Sequence, residues 1–445
     1  MKASHILTCI SILGLSTQAF GQITAPKQPV IELLETLEQQ QPEQTKPVEL
    51  QLQAAACGVQ SASWIQTSGP TSAELVGAGP NSIALLSEQG DYQFELNCCI
   101  ADATNDRVAR LLSSPDRIGF GASATGGAAA DSYTVVTSLE DSGPGTLRDA
   151  LLKSGPRWII FDEKIYGGTI FLKTSINVRE PDVTIDGAGA EITISPEQEG
   201  EGHLLAFRGG NSIIHGISID GRGFRSTSLG LREGKYYWAD HITITGNTYD
   251  DGIAIGQASK GETSASEVTI SNYKVFDTNY GVLGIGPNNQ NFPPYRATIH
   301  SSDLGARDRN PRIAEFGTVH VFNNYIHSFR FSGITAAADS TIFSQNNVFS
   351  ALNANNPKAT VSGNTNTGGE SGVTYTSNDL YTDSASWRGD VRFVDSEPFS
   401  IPYQYTLLET SEVKEHVLNN AGADKANLEN SACQTYTENY SYTTQ

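Results

Sequence analysis

Cysteine is scarce in this chain: there are five in 445 residues, with no Cys-x-x-Cys spacing and no histidine cluster beside them. That pattern excludes the usual zinc sites. Basic residues are also in deficit, 29 Lys and Arg against 49 Asp and Glu, giving a formal net charge of -20. No basic stripe stands out from this background, which argues against a nucleic-acid partner. An acidic polymer would be repelled at long range and would need a local positive cleft to bind. Long apolar runs are missing too. Even the apolar run at the start falls short of the roughly 18 residues of a membrane span, and no later segment could cross a bilayer.

Turn chemistry, by contrast, is abundant. The 43 glycines and the many Ser, Thr and Asn residues imply an all-β fold, and the chain is long enough to build a large core without metal or disulfide help. The opening "MKASHILTCISILGLSTQAFGQ" has a basic start, an apolar run and Ala19-Phe20-Gly21 before Gln22. It reads as a secretory signal over 1–21, which implies an extracellular or periplasmic protein. Removing it takes away Cys9 and leaves Cys57, Cys98, Cys99 and Cys433. A bridge from Cys57 to Cys98 or Cys99 is the expected pairing in an oxidising compartment. Residues 22–46, a mixture of Pro, Gln and Glu, read as a linker.

Between 47 and 114 the pattern becomes strand-like. Val48, Leu50 and Leu52 alternate with polar residues, as do Tyr92, Phe94 and Leu96, and "SWIQTSGP" lies between them. The arrangement resembles a PKD-type immunoglobulin-like module. The resemblance implies a small β-sandwich spacer without chemistry of its own, in which Cys57 and Cys98 or Cys99 fall on facing strands.

Residues 115–425 open on a glycine-rich run, "GFGASATGGAAA", followed by "TLRDALLK". The latter places Leu147, Ala150 and Leu151 on one helical face, with Thr146 as N-cap. Such a short helix can cover the open end of a stacked β structure. Short strands then recur every 22 to 30 residues, beginning at 183, 213, 242, 268, 297, 319 and 341. That period predicts a solenoid, and strands without intervening helices predict a right-handed parallel β-helix. A polar residue recurs five places into several repeats, namely Asn247, Ser302, Asn324 and Asn347. These predict an internal ladder of hydrogen-bonded side chains. Residues 426–445 read as a C-terminal tail.

Several segments, "VTIDGAGAEITI", "YWADHITIT", "RNPR", "VHVFNNY" and "IPYQYTLLETSEVKEHVLNNAGA" among them, together resemble pectate and pectin lyases in their order. The resemblance covers about residues 117–423. It implies a lyase that cleaves a uronic-acid polymer by β-elimination: a base takes the C5 proton and the C4 oxygen leaves, with positive charge beside the carboxylate. In the family the base is the first arginine of Arg-x-Pro-x-x-Arg. Here the pattern begins at Arg309, with Arg312 as a neighbouring substrate contact. Read alone, the two arginines would be a surface pair bridged to Asp303 or Asp308. Arg330, beside His327, and Arg225 are further candidate substrate contacts. Trp238, Asp240 and His241 match a segment whose role is structural, near the groove.

The chain also departs from the family. Ala314 stands where the second arginine of the pattern belongs, and Gly281 where the family has a lysine. Asp251 survives from the calcium-binding Asp-Gly-x-x-Asp, but Ile255 replaces its second carboxylate. Calcium takes about six to eight oxygen ligands, so little or no calcium dependence is expected. Two other classes stay open. A β-helix glycoside hydrolase needs two separated carboxyl groups, and adjacent Asp250 and Asp251 would tend to face opposite ways. A catalytically silent carbohydrate-binding protein is the second. The expected partner throughout is an acidic polysaccharide, with neither nucleic acid nor membrane.

Overall fold

The computed structural model describes residues 32–33, 48–53, 62–76, 81–99, 103–198, 202–256, 265–286, 295–330, 332–350, 361–364, 372–383, 385, 392–393, 396–426 and 433–442. The expected signal at 1–21, all but two residues of the expected linker, and Cys57 lie outside them. Among the described residues no helix is long and apolar enough to cross a membrane.

The alternation along 183–350 builds three parallel sheets, with 8, 11 and 9 strands among the described residues. Each complete coil contributes one strand to each sheet, and the coils stack in register. In the 11-stranded sheet one column runs Ile185, Ile214, Ala239, Ile270, Ile299 and Val321. In the 9-stranded sheet another runs Ile194, Ile219, Ile244, Val275, Leu304 and Ile326. These side chains are buried together in one continuous core. A strand too short to fold alone is held because every residue of it meets its counterpart in the next coil. The predicted parallel β-helix is therefore the observed architecture.

The predicted ladder is present, but its membership differs. Tyr273 N–H donates to Ser302 Oγ (3.1 Å), Ser302 N–H to Asn324 Oδ1 (2.9 Å), Asn324 Nδ2 to Asn347 Oδ1 (2.9 Å) and Asn347 N–H to Asp379 Oδ1 (2.8 Å). Asn247 is not on it and donates instead to Ser226 O and Ser228 Oγ. The "ITIT" at 242 caused the slip. It supplies Thr243–Thr245 of the 9-stranded sheet, whereas the other repeat starts belong to the 11-stranded one.

One residue before each rung the backbone turns through the left-handed region, at Asn272 (φ 48°), Ser301 (54°), Asn323 (55°), Asn346 (49°) and Asn378 (55°). Asparagine tolerates that conformation better than most residues, which explains the paired Asn-Asn of the sequence. Asn324→Ala would orphan the buried Ser302 N–H. At about 1–3 kcal/mol for an orphaned group, the expected loss is about 2 kcal/mol, read as a lowered urea midpoint at unchanged slope.

The glycine-rich run lies across the outer face of the 11-stranded sheet. Phe120 and Gly121 N–H groups donate to Thr298 and Thr269 hydroxyls. A Cβ at Gly121 would stand 2.1 Å from Tyr237 O, so only glycine permits this approach. The C-terminal "IPYQY" crosses the same face: Tyr403 bonds to Thr298 and His320, and its ring meets Phe120 edge-on at 5.2 Å. The helix Leu147–Leu152 has Thr146 as N-cap, with Leu147, Ala150 and Leu151 buried against the first coils.

Near the N-terminus, Val48–Gln53, Asn81–Leu86 and Glu74–Val76 lie in one antiparallel sheet. Ala62–Ser68, Gly90–Cys99 and Cys433–Tyr442 form a second. Leu50, Leu52, Trp64, Leu86, Tyr92 and Phe94 make one core from both. Much of the expected tail is thus a strand, registered from Cys433 opposite Cys99 to Tyr442 opposite Gly90. Its signal was the alternation of Tyr436, Tyr440 and Tyr442. The helix Ala103–Leu112, which falls inside the expected 47–114 module, packs instead on the solenoid. Arg107 is paired with buried Asp186 and Leu111 clusters with Trp158, Ile213 and Trp238.

Candidate active site

The arginine run begins in the turn that leads from the 9-stranded into the 8-stranded sheet. The turn is pinned to the coil before it: Gly305, Arg307 and Asp308 N–H groups donate to Val275, Thr278 and Asn279 carbonyls at 2.9–3.1 Å. Arg309 follows in the left-handed region at φ 58°, and the Asn310–Pro311 bond is cis. A non-glycine residue held there is a form of strain that collects at functional sites. Arg312–Ala314 then joins the 8-stranded sheet beside Leu283 and Thr335.

Arg309 Nη1 donates to Asp251 Oδ1 at 3.1 Å. The guanidinium carbon also lies 3.6 Å from the centre of the Tyr280 ring, well within cation–π range. Asp251 and Tyr280 are register partners in the 8-stranded sheet, so the fold itself sets this three-residue stack. The Arg309 side chain is 19% exposed and that of Asp251 only 2%. Burial raises the Asp251 carboxyl, Arg309 opposes the rise and neighbouring Asp250 adds to it, leaving it at about 7. Arg312 is half-buried; burial lowers its pKa and Arg309 lowers it further.

Asp303 and Asp308 do not take up these arginines. Asp303 pairs with His327 at 2.7 Å, and Asp308 accepts from the Ser332 N–H at 3.1 Å. Of the adjacent pair, Asp251 is taken up by Arg309, and Asp250 lies beside the Ser226 hydroxyl at 3.5 Å. Adjacent carboxyl groups, one of them held by Arg309, do not make the separated pair that a hydrolase requires.

The departures from the family pattern have steric causes. A Cβ at Gly281 would stand 2.3 Å from Asn310 Oδ1 and 3.0 Å from Arg309 O, so the turn carrying Arg309 excludes a side chain there. Ala314 is 2% exposed and packed on Ala337 and Ala338. Ile255 belongs to the solenoid core, and its side chain is thereby withdrawn from the outer face where a metal ligand would be needed.

Arg225 is exposed and lies 5.6 Å from the centre of the Tyr249 ring, two residues before Asp251. Arg330 is also exposed and sits on the next coil, its N–H donating to Arg307 O at 2.7 Å. Trp238, Asp240 and His241 are elsewhere. They occupy the end of Lys235–Asp240 in the 11-stranded sheet and the turn after it, whereas Asp251 and Arg312 are in the 8-stranded sheet. Asp240 is buried and bonded to His215 (3.0 Å), His241 (2.7 Å), Ser271 (2.6 Å) and Asn272 (3.1 Å). The histidines hold it well below the usual carboxylate range against the cost of burial. A carboxylate so fully engaged is a structural anchor. Sequence reading missed Tyr280, whose only signal is its place one residue before Gly281.

The sequence profile described as "Pectate lyase" matches residues 211–426, which contain this entire stack. Pectate lyase 1 of Juniperus virginiana is 30% identical over 283 residues, covering 59% of this chain and 75% of that protein. Pectate lyase 1 of Cryptomeria japonica is 28% identical over 310 residues, covering 62% and 78%. Among solved structures, the cedar pollen allergen jun a 1 superposes with a TM-score of 0.55 at 22% identity, covering 68% of this chain and 92% of its own. With the stacked coils, the arginine turn and the sequence likeness all falling on the same residues, the chain belongs to the pectate lyase family.

Proposed function

We propose that the protein is a secreted polysaccharide lyase that cleaves a uronic-acid polymer of the pectate or pectin kind by β-elimination, with Arg309 as base. The observation that carries this reading is the Arg309 stack: a guanidinium 3.6 Å over Tyr280 and 3.1 Å from Asp251, with Arg312 nearby, in an otherwise acidic chain. Arg309 takes the C5 proton. The C5–H electron pair forms the C4–C5 double bond, and the C4–O bond breaks, its oxygen gaining a proton from solvent. Arg312, Arg225 and Arg330 contact substrate carboxylates, and positive charge beside the carboxylate stabilises the carbanion-like state. Arg312, the next arginine after Arg309 in the motif, supplies the neighbouring cation that an arginine base requires.

Calcium has no part in this scheme. Asp251 is engaged by a guanidinium, and Ile255 lies in the core. These residues do not fit an ion that asks for about six to eight oxygens. Residues 1–21 act as an export signal, and the N-terminal strands form a PKD-type immunoglobulin-like spacer.

The test is incubation with pectate, pectin and alginate while following ultraviolet absorbance. A lyase generates an absorbing unsaturated product, a hydrolase only reducing ends, and a silent binder neither. The silent reading draws its support from the positions of Gly281 and Ala314, where two family cations are missing. With a calcium chelator present the rate should stay within about twofold of the untreated rate. A collapse of the rate that added calcium restores would refute the metal-free site.

A further inference from the structure

We propose that a second carboxylate-binding subsite lies between the turns that carry Arg307 and Arg330, and that it selects polymer with free rather than esterified carboxylates. This rests on the lyase reading for its substrate and for Arg330 as a substrate contact, and adds Arg307 and the cleft between the two.

Arg307 and Arg330 occupy successive coils and are joined through their backbones at 2.7 Å. Adjacent coils of a parallel sheet lie about 4.8 Å apart, so the two exposed guanidinium-bearing residues rise side by side from a fixed base. They flank a cleft of about 410 Å³ whose walls also carry Thr248, Thr278, Ser328 and Asp277. That volume lies within the range of small-ligand sites, about 300–1,000 Å³.

What marks the pair is its lack of partners. Arg107, Arg148, Arg208, Arg296 and Arg309 each meet a carboxylate. In a chain with twenty more acidic than basic residues, an arginine finds such a partner easily. Arg307 and Arg330 have none among the described residues, although Asp308 is next in sequence to Arg307. The Asp308 carboxylate is turned to Ser332 instead. Two neighbouring like charges without a counter-ion repel each other, and an anion placed between them removes that repulsion. Arginine forks match carboxylate geometry, so the anion expected here is planar and carboxylate-like.

The remaining polar groups narrow the ligand further. Exposed Asp277 would repel a simple anion but accept hydrogen bonds from sugar hydroxyls. A cleft with two cations at one side and acceptors elsewhere suits a uronosyl unit, which presents a carboxylate at one end and hydroxyls at the other. Arg307 precedes Arg309 by two residues, so a unit held here would belong to the same polymer whose bond is cleaved at Arg309.

The test measures binding rather than turnover. Hexagalacturonate with free carboxylates, its methyl ester and neutral maltohexaose are titrated by calorimetry into the lyase-silent Arg309→Ala protein. The same titrations follow after adding Arg307→Gln or Arg330→Gln. Each added substitution should weaken binding of the acid by about tenfold, as expected for loss of a hydrogen bond to a charged group, and leave the ester unchanged. Arg330→Lys should keep part of the affinity. Unchanged acid binding in both variants, or an equal loss for acid and ester, overturns the subsite. Binding that behaves as expected, together with no unsaturated product from the protein carrying no substitution, would defeat the lyase reading alone.

Discussion

Arg309→Ala should lower the rate of unsaturated-product formation on the order of 1,000-fold while leaving the circular dichroism of the protein unchanged. The magnitude is that of removing a general base or a main charge-stabilising donor from a desolvated site. The fold should survive because the side chain lies outside the solenoid core: its contacts are Asp251 and the face of Tyr280. Arg309→Lys is the sharper companion. A lysine keeps the charge but lacks the planar fork that stacks on Tyr280 while donating to Asp251. It should remain well below the parent rate, and a lysine variant with full activity would show that charge alone suffices there. If Arg309→Ala itself keeps full activity, the base lies elsewhere.

The second large effect is on stability and belongs to Asp251. Its carboxyl is pushed up to about 7 in the folded protein, against about 3.9 in an unfolded chain. The folded state therefore binds the proton more tightly. The sign follows: the stabilisation is fully present below about pH 4 and is lost as pH rises through 7, a change of up to about 4 kcal/mol. Asp251→Asn cannot ionise and removes this dependence while keeping an acceptor for Arg309. The unfolding free energy of the parent minus that of the variant should fall by up to about 4 kcal/mol between pH 4 and pH 8. Other buried titrating groups, such as His300 and His320, contribute to both proteins and cancel in the difference. A difference that stays flat across this range would mean that the carboxylate is ionised throughout and that the Arg309 pair outweighs its burial.

Both expectations concern one pair of residues 58 positions apart, and the sequence treats them unequally. Arg309 is legible because Asn310, Pro311 and Arg312 surround it in a recognisable order. Asp251 is legible only as the remnant of a calcium motif, and that reading says nothing of its pairing with an arginine. The stack forms because coil geometry makes Asp251 and Tyr280 register neighbours and brings the next turn over them. Similarly, the Asn-Asn pairs at 323–324 and 346–347 announce a ladder, but the membership of Asn247 fails. Assigning "ITIT" to a sheet depends on where its coil turns, and a repeat with no fixed length cannot supply that. The family cations missing at Gly281 and Ala314 look in sequence like losses. In three dimensions they are positions where the Arg309 turn and a packed alanine cluster leave no room.

The order of residues thus determined the solenoid, the ladder and the arginine turn, because each is written in a local pattern: alternation, paired asparagines, a short motif. Only the tertiary structure decided that Asp251 answers Arg309, that Trp238, Asp240 and His241 anchor a different sheet, and that residues 433–442 complete the sheet of residues 90–99. Those contacts join segments far apart along the chain, and their geometry is set by how the coils stack and how the ends fold back.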